Sequence, residues 1–228
     1  MDSFLNTELL LQYFTRLMVV FLVSPLHEFA HAWTAHKLGD DTAKDMGRMT
    51  INPMAHLDGW GALLIVVAGF GWAKPVPVKP TNFKHPRFGM MVTAVAGPAM
   101  NLLAALTGMI VFRLSGGASA QYAGTLFGYI DLSSSKDYLM LMLGEFISIN
   151  LVLCIFNMIP IPPLDGSRVL TFLLPPKAAL WVMRNQRYFY VGMIILMFTG
   201  ILNLPLYFVR ILLTRILLLL TGWIPAIF

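Results

Sequence analysis

Five apolar runs, about 9–33, 88–114, 138–158, 188–202 and 206–221, decide what this chain can fold into. Runs of this kind read as helices crossing a bilayer, which takes ~20 apolar residues each. The composition agrees, with 57% hydrophobic residues, 12% charged residues and a mean hydropathy of +0.72. That is the profile of a multi-spanning membrane protein and excludes an ordinary soluble globule. The 228 residues suit one membrane domain, and no stretch is long or polar enough for a soluble accessory domain. The expectation is an all-α polytopic fold with about five transmembrane helices. The single cysteine, Cys154, excludes an internal disulfide and lies in an apolar run, where it reads as packing. The first run could pass for a signal peptide, but no small-residue cleavage site precedes the polar chemistry that follows it.

Two interruptions shape the path between runs. "ALLIVVAGFGW" has only 11 residues, which as a helix is ~16 Å and too short for a ~30 Å core. "AKPVPVKPTNFKHPR" follows, alternating proline with valine and lysine, and reads as extended or polyproline chain. A re-entrant or hairpin segment near 61–80 is therefore expected. The second interruption is "NMIPIPPLDG", whose three prolines end the third run and allow a short helix to restart near Leu164. Arg16 inside the first run is expected to snorkel toward the opposite face, and Pro25 to kink the helix. No internal repeat is visible, which argues against a transporter built from repeated halves.

The net charge of +5 reads as topology rather than nucleic-acid affinity. Lys37, Lys44, Arg48, Lys74, Lys79, Lys84 and Arg87 follow the first run, and Arg168, Lys177, Arg184 and Arg187 follow the third. The 115–136 loop carries only Lys136. The first span thus runs from outside to cytoplasm and the second returns, provided that 61–72 does not cross.

The chemistry lies in "SPLHEFAHAW". His27 and His31 are four apart, so on a helix both imidazoles share one face and can converge on one ion. Glu28 between them can take a proton from water and later deliver it to a leaving amine. This is the zinc-protease constellation. Two structural histidines would be the bland explanation, but two imidazoles and a carboxylate within lipid are costly and mark a site. A third ligand is needed. A further histidine at HExxHxxGxxH is excluded, since Thr34 and Lys37 occupy those places. His36 lies off the shared face, and His56 and His85 read as surface residues in polar loops. Of the acids in apolar surroundings, Asp165 sits where the broken helix can aim a side chain inward. Glu145 has no break beside it and reads as a partly buried carboxyl.

HEFAH in an apolar helix, "AGPAMN" in a later span and "NMIPIPPLDG" in the next together resemble the site-2 protease family of intramembrane zinc metalloproteases. The likeness covers roughly residues 20–170. "FGWAKPVPV" also looks like the strand-forming segment of short bacterial members. The resemblance implies one zinc held by His27, His31 and Asp165, Glu28 as base, and Asn157 helping to hold the site or substrate. It implies a single membrane-embedded protease domain over 1–228, with a catalytic core of about 9–175 and accessory helices of about 186–221. Its substrates would be single-span membrane proteins, reached in a bacterial cell membrane with the site open to the cytoplasm. The segment 74–80 would either pair with unwound substrate or pack over the site. Competing readings are a divalent-metal transporter and an inactive relative that binds membrane segments. Glu28 argues against both.

Overall fold

The structure, a computed structural model, describes residues 7–68, 71–117, 119, 122, 124–127 and 134–225. Among the described residues there is no strand. Packing divides the chain into two units, Met1–Gly97 and Pro98–Phe228.

In the first unit, helix α1 (Thr7–Met18), a π-helical turn (Val19–Val23) and α2 (Ser24–Lys37) follow one another directly. The cause is Pro25, in the first turn of α2. It lacks an N–H, and its ring would strike the carbonyl four residues back. The wider turn absorbs this, with the Ser24 N–H bonding Val19 O five residues back. The expected kink is thus a local widening of the helix just before His27. Beyond α2 the chain turns at Gly39, where φ is 101°. The short helices α3 (Thr42–Asp45) and α4 (Pro53–His56) pack back against α2.

Helix α5 (Gly59–Ala68) spans ~15 Å and cannot cross a bilayer. The chain leaves its end and comes back beside its start. A Cβ on Gly61 would lie 2.0 Å from the carbonyl oxygen of Trp72, so only glycine admits the returning chain. The expected return of the chain is present; Gly69 and Phe70 lie outside the described residues. Ending a short helix in an apolar setting strands its last carbonyls. Arg16 answers this, donating from Nη1 to Val66 O at 2.6 Å and Val67 O at 3.0 Å. The expected snorkelling is therefore corrected, because carbonyl acceptors close at hand capture the guanidinium. Residues 71–79 then run without regular structure, as their prolines dictate. Helix α6 (Pro86–Phe112) follows, and the boundary between units falls within it, before Pro98.

The second unit contains the rest of α6, a π turn (Arg113–Gly117), α7 (Ser135–Asn157), α8 (Gly166–Leu173), α9 (Pro176–Arg184), α10 (Gln186–Thr199) and α11 (Asn203–Leu220). A capping box starts α7: Ser134 Oγ accepts from the Asp137 N–H, and Asp137 Oδ2 accepts from the Ser134 N–H at 2.6 Å. Met109 and Phe112 of α6, Met140, Ile147 and Leu151 of α7, and Leu217 of α11 form its core. Gly108 lets α6 approach α7, since a Cβ there would already lie 3.0 Å from Phe146 Cδ1. Polar bonds tie the helices further. Arg210 donates to Ser148 Oγ at 2.7 Å and Arg113 to Leu218 O at 2.7 Å.

Among the described residues, three helical stretches are long and apolar enough to cross a membrane: Pro86–Gly117, Ser135–Asn157 and Asn203–Leu220. The run expected at about 9–33 is shared among α1, the π turn and α2, and α10 has 14 residues.

Candidate active site

Helix α2 delivers both histidines to one place. Their Nε2 atoms are 2.9 Å apart and their ring centroids 4.6 Å apart. His31 is 8% exposed, and its Nδ1 donates to Thr93 O of α6 at 2.7 Å. A carbonyl only accepts, so Nδ1 carries the proton and Nε2 is the unprotonated nitrogen of the neutral ring, the one able to ligate a cation. The space beside the pair is made by Gly97. A Cβ there would lie 2.5 Å from His27 Cε1, His27 Nε2 and His31 Nε2. Two imidazoles aimed at one point, with a glycine keeping it clear, suit the nitrogen ligation that zinc takes.

Glu28, on the same helix, faces a different element. Its Oε2 accepts from the Val76 N–H at 2.9 Å. Val76 lies in the irregular stretch between α5 and α6, so part of the segment singled out near 74–80 lies against Glu28. Prolines 75 and 77 have no N–H. Within Pro75–Val76–Pro77 the lone donor is spent on Glu28.

Asp165 and Asn157 belong to the second unit. Asn157 ends α7, and its Nδ2 donates to Leu153 O one turn back at 3.0 Å. Asp165 is the N-cap residue of α8 and makes no capping bond there. The turn between them is tight: a Cβ on Gly166 would lie 2.3 Å from Met158 O. Glu145 lies within α7, on an unbroken helix.

The remaining histidines divide. His36 pairs through Nδ1 with Asp41, and His85 is exposed. His56 is not the surface residue its polar surroundings suggest. It is 1% exposed, its Nε2 donates to Thr50 O at 2.7 Å, and its carbonyl accepts from the Lys74 N–H. It is consumed in building the loop. The sequence shows "AGPAMN" as a motif without showing what Gly97 does, and no pattern in it marks Thr93, Val76 or Asp40. A glycine–proline pair in an apolar helix was the available signal for Gly97. Backbone contacts such as those of Thr93 and Val76 leave no side-chain pattern.

A helical membrane chain with paired imidazoles and an adjacent carboxylate defines a metallopeptidase. The model of Peptidase family M50 matches residues 14–200, and the chain belongs to that family. It is 39% identical over 200 residues to "Putative zinc metalloprotease YwhC" of Bacillus subtilis (strain 168), covering 87% of this chain and 86% of that protein. Two proteins named "Putative zinc metalloprotease Rip2" are also similar. That of Mycolicibacterium smegmatis is 26% identical over 186 residues and that of Mycobacterium tuberculosis 27% over 185. In both cases 78% of this chain and 64% of the relative are covered. No solved structure matches the chain. The protein is thus a membrane metalloprotease that uses zinc.

Proposed function

We propose that this chain is an intramembrane endopeptidase that cuts the transmembrane segments of single-span proteins. The observation that carries the reading is the location of HEFAH. His27, Glu28 and His31 lie on a helical path continuous with the apolar α1, beside α6, whose length and composition suit a membrane span. Ionisable groups kept in such surroundings mark chemistry rather than packing.

In this reading His27, His31 and Asp165 hold the zinc. The zinc supplies a Lewis acid for the scissile carbonyl. Glu28 takes the proton of the attacking water and returns it to the departing amine. Asn157 donates a hydrogen bond to the carbonyl oxygen as negative charge develops. The basic loops after α2 and α7 favour the cytoplasmic side, so water reaches the site from there in a bacterial cell membrane. The substrate explains the depth. A peptide bond within a spanning helix is shielded by lipid and by its own hydrogen bonds, and cutting it requires local unwinding beside the metal.

The test is incubation of the purified protein with a panel of single-span substrates, with and without a chelator. Cleavage is expected within the apolar segment, to be lost with the chelator, and to be lost in Glu28→Gln at unchanged zinc stoichiometry. A Glu28→Gln variant turning over near the parent rate ends this assignment.

A further inference from the structure

The irregular stretch 73–79 and the helical turn that follows it, Pro80–Asn82, are held by two buried charges of opposite sign. Arg48 is 6% exposed and Asp40 is 0% exposed. Burying a charge is costly unless it is well bonded, and opposite charges usually meet that cost by pairing. Here Arg48 is spent on backbone carbonyls of the strap, and Asp40 on one backbone N–H and one side-chain amide of it, besides the hydroxyl and N–H of Thr42. Arg48 Nη2 donates to Lys74 O and, more weakly, to Pro75 O at 3.4 Å. Asp40 Oδ2 accepts from the Lys79 N–H at 2.7 Å, and its Oδ1 accepts from Asn82 Nδ2 at 2.7 Å. A third anchor is the Lys74 N–H to His56 O, at 2.8 Å. Between these anchors lies Val76, whose N–H meets Glu28 Oε2. The other oxygen of Glu28 has no partner among the described residues.

We propose that Arg48 and Asp40 are positioning residues for the base: they fix the strap so that the Val76 N–H holds one oxygen of Glu28. The second oxygen then faces the proton it must carry in a single orientation. This rests on the reading of Glu28 as base. An unheld carboxylate would sample several rotamers, and a displacement of about 1 Å at a reacting group can cost up to 100-fold in rate. The flanking prolines serve the same end, since they stiffen the strap and remove competing donors.

Two measurements test this. In steady-state cleavage, run well below the melting temperature of each variant, Arg48→Ala is expected to lower kcat by about 10- to 100-fold at unchanged KM and zinc content, with partial recovery in Arg48→Lys. Amide hydrogen exchange, read residue by residue, is independent of activity. Val76 is expected to be protected in the parent and to lose protection in Glu28→Ala, while Lys79 stays protected by Asp40. Unchanged exchange at Val76 in Glu28→Ala overturns the contact. A raised KM at unchanged kcat in Arg48→Ala gives the strap to substrate holding and also overturns the proposal. So does a loss of kcat accompanied by loss of zinc. Cleavage persisting in Glu28→Gln instead removes the underlying reading of the base, a separate failure.

Discussion

Individual residues carry the sharpest tests of the ligand set. Asp165 follows a proline-broken turn, whereas Glu145 sits on an intact helix. Asp165→Ala is expected to lose both zinc and activity, while Glu145→Gln keeps its zinc; metal analysis of the two purified variants decides. Asn157 donates within its own helix, to Leu153 O. Such a bond contributes about 1 kcal/mol to stability, whereas an oxyanion donor contributes ~3–4 kcal/mol to the transition state. Asn157→Ala should therefore cut turnover ~100-fold or more, with zinc content and thermal unfolding near the parent's. Joint loss of stability and activity would assign it to the helix end. Asp40 gives an acid limit. Burial pushes its carboxyl up, but bonds from the Thr42 hydroxyl, the Lys79 N–H, the Asn82 amide and the Thr42 N–H outweigh that and hold it below its ordinary 3.8. A lowered value means that its contribution to stability is fully present above 3.8 and disappears as pH falls through the lower folded value. Acid unfolding of Asp40→Asn should lack that component of the transition.

Among elements, the α5 hairpin makes the clearest prediction. Trp72 lies against Gly61, so the excursion returns to the side from which it left. Cysteines placed at Asp58 and Lys74 are expected to react with an impermeant reagent from the same face of the membrane. Labelling from opposite faces would mean that α5 crosses. This element was legible in the sequence because its length was wrong for a span and its sequel was full of proline. The manner of its capping was not. Arg16 precedes α5 by a long stretch of sequence, and a lone arginine in an apolar run points to a nearby surface unless the carbonyls that capture it are known. The π turn before α2 was half legible: Pro25 announces a disturbance, but not whether the helix bends or widens.

Across the whole molecule, the sequence pattern reported the solvent better than it reported the packing. Hydropathy is an average property, so the membrane class and the long helices could be read from it. The imidazole pair was equally plain, because a helix fixes the geometry of residues four apart. What stayed hidden depends on contacts between distant segments: His31 with Thr93, Glu28 with Val76, and the buried Arg48 with Lys74. These are long-range hydrogen bonds to backbone, and outside proline the backbone offers the same groups at every position of a sequence.

Gly97 bears on how a peptidase of this kind is inherited. Every missense change at its codon installs at least a methyl group in the space between His27 and His31. A single base change there is therefore expected to silence the enzyme without altering His27, Glu28, His31 or Asp165. Gly97→Ala is expected to be inserted and folded like the parent but to retain little zinc on metal analysis. A lineage that has lost proteolysis can thus keep an intact HEFAH, and the letter at position 97 separates a working copy from a relic.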